Sequence, residues 1–177
     1  MMLAQTFNGQ SVAGWWLSEK LDGCRAFWDG SCLRTRDSWL PILAPASVVS
    51  RLPKGIALDG ELWAGYGTLN AVSGLVRRKT LDAAEWTRLG VRYMVFDAPN
   101  TDSEAFESRQ AVARKLALGE MVGFVEQRKV SGAAEATTEM RRIVAAGGEG
   151  VVLRRPGHFY AFGRSRDMLK MKPGEGA

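Results

Sequence analysis

A lysine followed by a tight turn is the first group in the sequence whose surroundings suit covalent chemistry. Residues 15–20 predict a strand and Leu21-Asp22-Gly23 predicts the turn that ends it, so Lys20 would lie at the rim of a sheet. A lysine amine attacks phosphorus only after it loses its proton, and nearby cations such as Arg25 or a bound metal favour that loss. An exposed lysine in an Asp-Gly turn has the same sequence, and this short motif alone favours that interpretation.

Two carboxylates stand two residues apart in a second segment. Residues 56–63 predict a strand, and because residues two apart in a strand share a face, Asp59 and Glu61 would point the same way. Paired carboxylates on one face suit a magnesium ion or a sugar hydroxyl. A solvated acidic edge of a sheet explains the same spacing.

Two further segments place charge beside strands near the end of the sequence. Glu149 lies in a run of glycines before the apolar strand predicted for residues 150–154, and glycine permits close approach of the backbone to a ligand. A helix stop followed by a turn explains the glycines equally well, but it does not explain the glutamate. Lys170 and Lys172 share one face of another predicted strand, where they would hold phosphate or protect an exposed sheet edge.

Together these segments supply what nucleotidyl transfer requires. They provide an amine nucleophile, carboxylates for a metal and a ribose, and cations that stabilise charge in the transition state. The strand predicted for residues 91–97 is rich in aromatic and β-branched residues and supplies a ring that can stack on a nucleobase.

The remaining secondary structure has to position these groups. Further strands are predicted at residues 25–28, 32–36 and 168–172, with a tight turn at Asp29-Gly30. Helices are predicted at residues 81–89 with Thr80 as N-cap, from the capping-box spacing of residues 101–104 to about 118, and at 134–146. Strands interrupted by helices without strict β-α-β alternation predict an α+β fold with largely antiparallel β-sheets flanked by helices.

The motifs, taken in order, resemble those of the covalent nucleotidyltransferase superfamily of DNA ligases, RNA ligases and mRNA-capping enzymes. The segments that carry the resemblance run from Glu19 to Lys172 and are Lys20-Leu21-Asp22-Gly23-Cys24-Arg25, Thr35-Arg36, Asp59-Gly60-Glu61-Leu62, Tyr93-Met94-Val95-Phe96-Asp97, Glu149-Gly150-Val151-Val152-Leu153 and Lys170-Met171-Lys172. The segment that begins at Glu149 resembles ligases more than capping enzymes. Residues 60–78 are similar to compact bacterial or phage-type ATP-dependent DNA ligases.

The resemblance implies an ATP-grasp-like nucleotidyltransferase (adenylation) domain over residues 1–177. Lys20 would attack ATP, with Mg²⁺ or Mn²⁺ present, to form a covalent lysyl-AMP, and AMP would then pass to the 5′-phosphate of nicked duplex DNA. The catalytic residues implied are Lys20 and Asp22, and the implied nucleotide-binding residues are Glu19, Lys20, Arg25, Arg36, Glu61, Phe96, Glu149, Lys170 and Lys172.

Individual roles follow from the same resemblance. Arg25 would contact the ribose, Phe96 would stack on adenine, Glu61 would bind the ribose or a metal, and Glu149 would bind a divalent metal. Arg36 would contact phosphate or the nick. Arg77 and Arg78 would touch DNA phosphates, although a solvated basic helix end explains these two arginines equally well.

Family members normally continue into an OB-fold domain whose basic residues orient the pyrophosphate. Only five residues follow Lys172, so we expect this C-terminal domain to be missing from the sequence. We therefore expect that ATP or AMP binds, that self-adenylation is slow, and that nick sealing is weak or absent.

Composition limits the class of protein. The net charge of +5 suits a polyanionic partner but also an ordinary basic protein, and the two cysteines without a CxxC pattern indicate a reduced compartment. A single histidine argues against zinc sites and histidine triads. No apolar run approaches the roughly 18 residues of a membrane span, and the first residues lack a basic leader. We therefore expect a cytoplasmic protein with no membrane partner, and the family resemblance implies a monomer.

Two alternatives remain open at the level of sequence. An RNA ligase or capping-type transferase would differ in its preference for RNA ends or for GTP. A module that binds a nucleotide or a nick without chemistry would never take up AMP on Lys20.

Overall fold

The computed structural model describes residues 1–100, 104–117 and 119–174. The chain divides into two compact units. Unit 1 comprises Met1–Leu21, Thr101–Glu107 and Val125–Ala177, and unit 2 comprises Asp22–Asn100 and Ser108–Phe124. The predicted turn after Lys20 is thus where the chain first passes from unit 1 to unit 2. Within the described ranges, no helix combines the length and the hydropathy that crossing a membrane requires.

Strands and helices alternate irregularly along the described residues. The strands are β1 (Met2–Thr6), β2 (Trp16–Glu19), β3 (Cys24–Trp28), β4 (Leu33–Thr35), β5 (Leu58–Trp63), β6 (Arg92–Asp97), β7 (Val122–Phe124), β8 (Gln127–Lys129), β9 (Val151–Arg154) and β10 (Gly163–Met171). The helices are α1 (Ala46–Val49), α2 (Leu69–Val76), α3 (Ala83–Leu89), α4 (Phe106–Leu116) and α5 (Ala133–Ala145).

The sheet of unit 1 has the strand order β1-β10-β9-β2-β8. β1 is parallel to β10, and the other neighbours are antiparallel. Because antiparallel neighbours run in opposite directions, the end of β2 and the end of β10 both meet the start of β9. This topology brings the segments around Lys20, Glu149 and Lys172 together where the ends of β2 and β10 meet the start of β9.

Helix α5 supports this sheet through one apolar stripe. Ala136, Met140 and Ile143 are buried at helical spacing, and they belong to the same core cluster as Leu153 of β9 and Leu169 of β10. The core therefore holds the strands from which the charged residues of unit 1 project.

The sheet of unit 2 has the strand order β4-β3-β5-β6-β7, and only β6 and β7 are parallel neighbours. Leu58 and Leu62 of β5 are buried in the core of this unit with Trp86 of α3 and Tyr93 of β6. Because residues alternate across a strand, Asp59 and Glu61 are directed to the other face, as their spacing predicted.

The α+β fold with largely antiparallel sheets is confirmed, and the predicted strands are present with shifted ends. β5 begins at Leu58 rather than at residue 56, and β10 begins at Gly163 rather than at residue 168. The strands β1, β7 and β8 and the helices α1 and α2 were not predicted from the sequence. The three-residue strands β7 and β8 are too short to show a period.

The predicted helix starts need correction. The N-cap of α3 is Asp82 and not Thr80, because the Asp82 carboxylate accepts a hydrogen bond from the backbone N–H of Glu85. Gly90 ends α3 in the left-handed region, as predicted, with φ of 69°. α4 begins at Phe106, after Glu104, while residues 101–103 of the predicted capping box and residue 118 lie outside the described residues.

Candidate functional site

Lys20 is held at the end of β2 by the backbone. The preceding residue, Glu19, pairs with Val151 of β9, and the backbone N–H of Lys20 donates to the carbonyl of Gly150 at 2.9 Å. The lysine side chain therefore starts from a fixed point beside the first residues of β9. The predicted position at the rim of a sheet is what the backbone shows.

A carboxylate between two ammonium groups is the central feature of this edge. Glu149 accepts hydrogen bonds from the Nζ atoms of both Lys20 and Lys172, and all three side chains are partly exposed. Burial opposes ionisation of Glu149, but the hydrogen bonds from Lys172 and Lys20 outweigh it and lower the pKa of the carboxyl group. Glu149 is therefore an anion at neutral pH and can serve as an oxygen ligand for a hard cation.

The glycines around Glu149 are required by close packing. Gly150 has φ of 148°, and a Cβ atom there would lie 2.3 Å from the carbonyl oxygen of Met171. A Cβ atom on Gly148 would lie 2.4 Å from Cγ2 of Ile143. The glycine run thus lets the end of α5 and the end of β10 approach the segment that carries Glu149.

Glu19 adds a second carboxylate to unit 1. Its Oε1 atom is buried and has no hydrogen-bond partner within the described part of the chain. A buried acceptor without a donor is costly, so a ligand that donates a hydrogen bond would fit at this atom. Lys170 is also predicted to bind the nucleotide, and it lies half-buried in β10 opposite Val152 of β9.

Arg25 of unit 2 is fixed by a bidentate ion pair. Its Nε and Nη2 atoms donate to Oδ1 and Oδ2 of Asp59 at 2.6 and 2.7 Å. The guanidinium also lies over the ring of Phe96, 4.6 Å from the ring centroid. Asp59 therefore orients Arg25, a role that the sequence did not reveal because Arg25 and Asp59 lie on different strands.

A bulge sets the position of Phe96 in β6. Asp59 pairs with Asp97, and the next residue of β5, Gly60, pairs with Val95. Phe96 is therefore an extra residue of β6 with no opposite position on β5. An extra residue of this kind redirects a side chain relative to regular alternation. The sequence predicted an aromatic residue on this strand, but the bulge that aims its ring has no local signature.

Glu61 and the turn after Lys20 lie close together in unit 2. Glu61 is half-buried and stands directly opposite Arg25 in the pairing of β3 with β5. In the turn that starts at Asp22, a Cβ atom on Gly23 would lie 2.3 Å from the carbonyl oxygen of Leu62. Burial, and then the charge of Glu61, raise the pKa of the Cys24 thiol. Because a raised pKa reduces the fraction of reactive thiolate, Cys24 is a poor nucleophile.

The three predicted DNA-binding arginines are all exposed on unit 2. Arg36 lies beyond β4 and forms an ion pair with Asp37, while Arg77 is the C-cap of α2 and Arg78 pairs with Asp82. Surface ion pairs of this kind are weak, so a phosphate can compete for either paired arginine.

No group of three or more His, Cys, Asp or Glu side chains that could hold a metal ion occurs in the described ranges. The predicted metal ligands are instead single carboxylates, with Glu149 in unit 1 and Glu61 in unit 2. The structure brings together Lys20, Glu149 and Lys172, and separately Arg25, Asp59 and Phe96.

Comparison with known proteins gives consistent relatives. A family model described as ATP dependent DNA ligase domain matches residues 42–172. A DNA ligase of Haemophilus influenzae is 31% identical over 178 residues, which cover 99% of this chain and 64% of that protein. The chain thus spans less than two thirds of the length of this relative.

Solved structures of DNA ligases have the same fold. A structure from a structure-function study of DNA binding by Lig E DNA ligases has a TM-score of 0.82 and 34% identity, covering 97% of this chain and 69% of that chain. Chlorella virus DNA ligase-adenylate has a TM-score of 0.74 and 23% identity, over 97% of this chain and 66% of that chain. The ATP complex of the bacteriophage T7 ligase has a TM-score of 0.76 and 19% identity, over 98% and 68%. Because the family model covers most of the chain, this chain belongs to the ATP-dependent DNA ligase domain family.

Proposed function

We propose that this chain is the adenylation part of an ATP-dependent DNA ligase. Lys20 Nζ attacks the α-phosphorus of ATP, a P–N bond forms, and the bond to pyrophosphate breaks. The AMP group then passes from Lys20 to the 5′-phosphate of nicked duplex DNA. Attack by the 3′-hydroxyl closes the phosphodiester and releases AMP.

The observation that carries this proposal is the cluster of Lys20, Glu149 and Lys172, which lies where β2 and β10 end and β9 begins. Lys20 is partly exposed and its backbone is held by a hydrogen bond, so its side chain reaches toward a phosphate from a defined position. Lys172 and Lys170 stabilise negative charge that develops on the α-phosphate. An ion pair that served only stability would not need two partly exposed ammonium groups around one carboxylate.

A divalent cation, Mg²⁺ or Mn²⁺, fits the ionised carboxylate of Glu149 in unit 1, and Glu61 is proposed as a metal ligand in unit 2. When bound, such an ion supplies charge neutralisation for the triphosphate. Glu149 is already held as an anion by Lys20 and Lys172, so cation binding has to weaken at least one of these two contacts.

We assign nucleotide recognition to the remaining residues of the motifs. Arg25, held by Asp59, and Glu61 contact the ribose, and Phe96 stacks on adenine. The unpaired Oε1 atom of Glu19 accepts a hydrogen bond from the nucleotide.

We assign DNA contacts to the exposed arginines and to the turn after Lys20. Asp22 acts near the nick hydroxyl or near Lys20. Arg36, Arg77 and Arg78 contact DNA phosphates. The positive net charge supports action on DNA, and the two free cysteines support a cytoplasmic location. We further propose that the protein is monomeric.

Intact-mass measurement after incubation with ATP and Mg²⁺ tests the proposal. The wild-type chain should gain the mass of AMP in an acid-labile adduct, and Lys20→Ala should gain nothing. Lys115→Ala, which removes an exposed lysine of α4, is the matched control and should be adenylated like the wild type. An adduct that persists in Lys20→Ala would refute Lys20 as the nucleophile. Adenylation by GTP in preference to ATP would favour a capping-type transferase.

A further inference from the structure

The hairpin that follows β4 in unit 2 carries an unusual tryptophan at its tip. Thr35 donates its backbone N–H to the carbonyl of Leu40 at 2.8 Å, and the Leu40 N–H donates to Oγ1 of Thr35 at 3.0 Å. These two bonds close the tip of residues 36–39. Trp39 lies in this tip with φ of 54°, and it is the one non-glycine residue with positive φ in the described part of the chain.

The left-handed region is unfavourable for a bulky side chain. Glycine or asparagine occupies it at little cost, whereas an aromatic residue there is a genuine outlier. Such strain persists where the surrounding structure imposes it, and it is concentrated at functional sites. Trp39 thus stands at a position where stability alone favours another residue.

Packing explains only part of the tryptophan. Its ring lies against Phe27, with 5.2 Å between the ring centroids, yet 43% of the residue remains exposed. Leu40 and Leu43 are exposed beside it, so three large apolar residues lie within five positions of the chain. Large exposed apolar residues this close together in the chain favour a surface that contacts another molecule.

The charge around the tip indicates which molecule that is. Arg36 belongs to the same tip, where it forms an ion pair with the exposed Asp37. Unit 2 carries most of the net positive charge of the chain, because its 13 lysines and arginines outnumber its 9 aspartates and glutamates. A flat aromatic face next to an exposed arginine suits a nucleic acid, because the arginine binds phosphate while the ring covers a sugar or a base.

We propose that Trp39, with Leu40 and Leu43, forms an apolar wedge that enters the separated base step of duplex DNA at a nick, where the Trp39 ring stacks on a base. This inference rests on the proposed function. A nick interrupts one strand, so the base step at the break separates at lower cost than a step in intact duplex. An apolar wedge gains most where unstacking is least costly. The wedge therefore favours nicked over intact DNA, whereas the phosphate contact of Arg36 does not distinguish them.

Binding of fluorescent duplexes in the absence of ATP tests the wedge. One duplex carries a nick with a 5′-phosphate, and the other has the same sequence without a nick. Trp39→Ala should weaken binding to the nicked duplex about tenfold or more, as expected for the loss of one aromatic stacking contact. The loss on intact duplex should be much smaller, and Trp39→Phe should recover most of the affinity.

Two controls separate the wedge from structural effects. Phe162→Ala removes an aromatic residue that is 68% exposed on unit 1, and it should bind both duplexes like the wild type. Trp39→Asn relieves the strained backbone, so its unfolding free energy should stay close to that of the wild type while nicked-DNA affinity falls.

The outcomes for the wedge and for the proposed function are distinguishable. If the wild type is adenylated on Lys20 but Trp39→Ala binds nicked duplex as tightly as the wild type, the wedge is refuted and the adenylation function stands. The apolar surface would then face a protein. Equal losses on both duplexes would refute the preference for nicks. If the wild type neither forms lysyl-AMP nor prefers nicked DNA, both proposals fall.

Discussion

Replacement of Asp59 by asparagine should destabilise the protein strongly, because it removes the charge that compensates Arg25. Asp59 is fully buried and the Arg25 side chain is 15% exposed, with both guanidinium contacts at 2.6 and 2.7 Å. Removing one partner of a buried pair costs about 3–5 kcal/mol, and the residual exposure of Arg25 reduces this to about 2–4 kcal/mol. The substitution leaves the volume of the side chain almost unchanged, so the loss reports charge and hydrogen bonding rather than a cavity.

The chain contains a matched control for this prediction. Arg36 and Asp37 form a bidentate pair of the same type at 2.8 and 3.2 Å, but their side chains are 51% and 76% exposed. Water screens an exposed pair and competes for its hydrogen bonds, so Asp37→Asn should cost about 0–1 kcal/mol. The comparison between the two variants therefore changes burial while keeping the geometry of the pair similar.

Urea unfolding followed by circular dichroism measures the free energy of unfolding of both variants, and thermal unfolding measures their melting temperatures. Asp59→Asn should lower the melting temperature by about 5–15 °C, given about 2–4 °C per kcal/mol for a domain of this size. ATP affinity measured well below that temperature should also fall, since Arg25 loses the partner that orients it. A loss of under about 1 kcal/mol for Asp59→Asn, or equal losses for both variants, would refute the argument that burial makes this pair important.

Three further predictions follow from the glycines and from Glu149. Gly150→Ala should cost about 1–3 kcal/mol in urea unfolding, because its Cβ would lie 2.3 Å from a carbonyl oxygen at a φ of 148°; a neutral result would contradict the close approach. Gly74→Ala within α2 meets no atom within 4 Å and should stabilise by about 0.4–1 kcal/mol; destabilisation would show that the helix surface is covered. Because the pKa of Glu149 is lowered in the folded state, its ionised form stabilises the fold at pH values above the ordinary pKa of a glutamate. This stabilisation is lost as the pH falls through the lowered pKa of the folded state. The difference in unfolding free energy between wild type and Glu149→Gln should therefore persist at neutral pH and shrink below about pH 4; a difference that grows on acidification would contradict this sign.

Strands with a clear pattern could be predicted from the sequence, whereas short or distant pairings could not. β5 and β6 have alternating or β-branched sequences, and both were predicted to within two residues. β1 pairs in parallel with β10, which lies at the opposite end of the chain, so no local sequence pattern predicts this pairing. The N-cap of α3 was misplaced because Thr80 and Asp82 are both good capping residues, and only the backbone path decides that Asp82 reaches the N–H of Glu85.

The sequence by itself determined which chemical groups are present and in what order. A lysine before an Asp-Gly turn, carboxylates at strand positions and a pair of lysines near the end are local features, and they were sufficient to predict the family. Tertiary structure decided which of these groups meet. Lys20 and Glu149 are 129 positions apart, and they contact one another because antiparallel pairing of β2 with β9 sets the end of one strand against the start of the other. The pairing of Asp59 with Arg25 and the bulge at Phe96 also depend on register between strands, which is set by the packing of the whole sheet and has no signal in either strand alone.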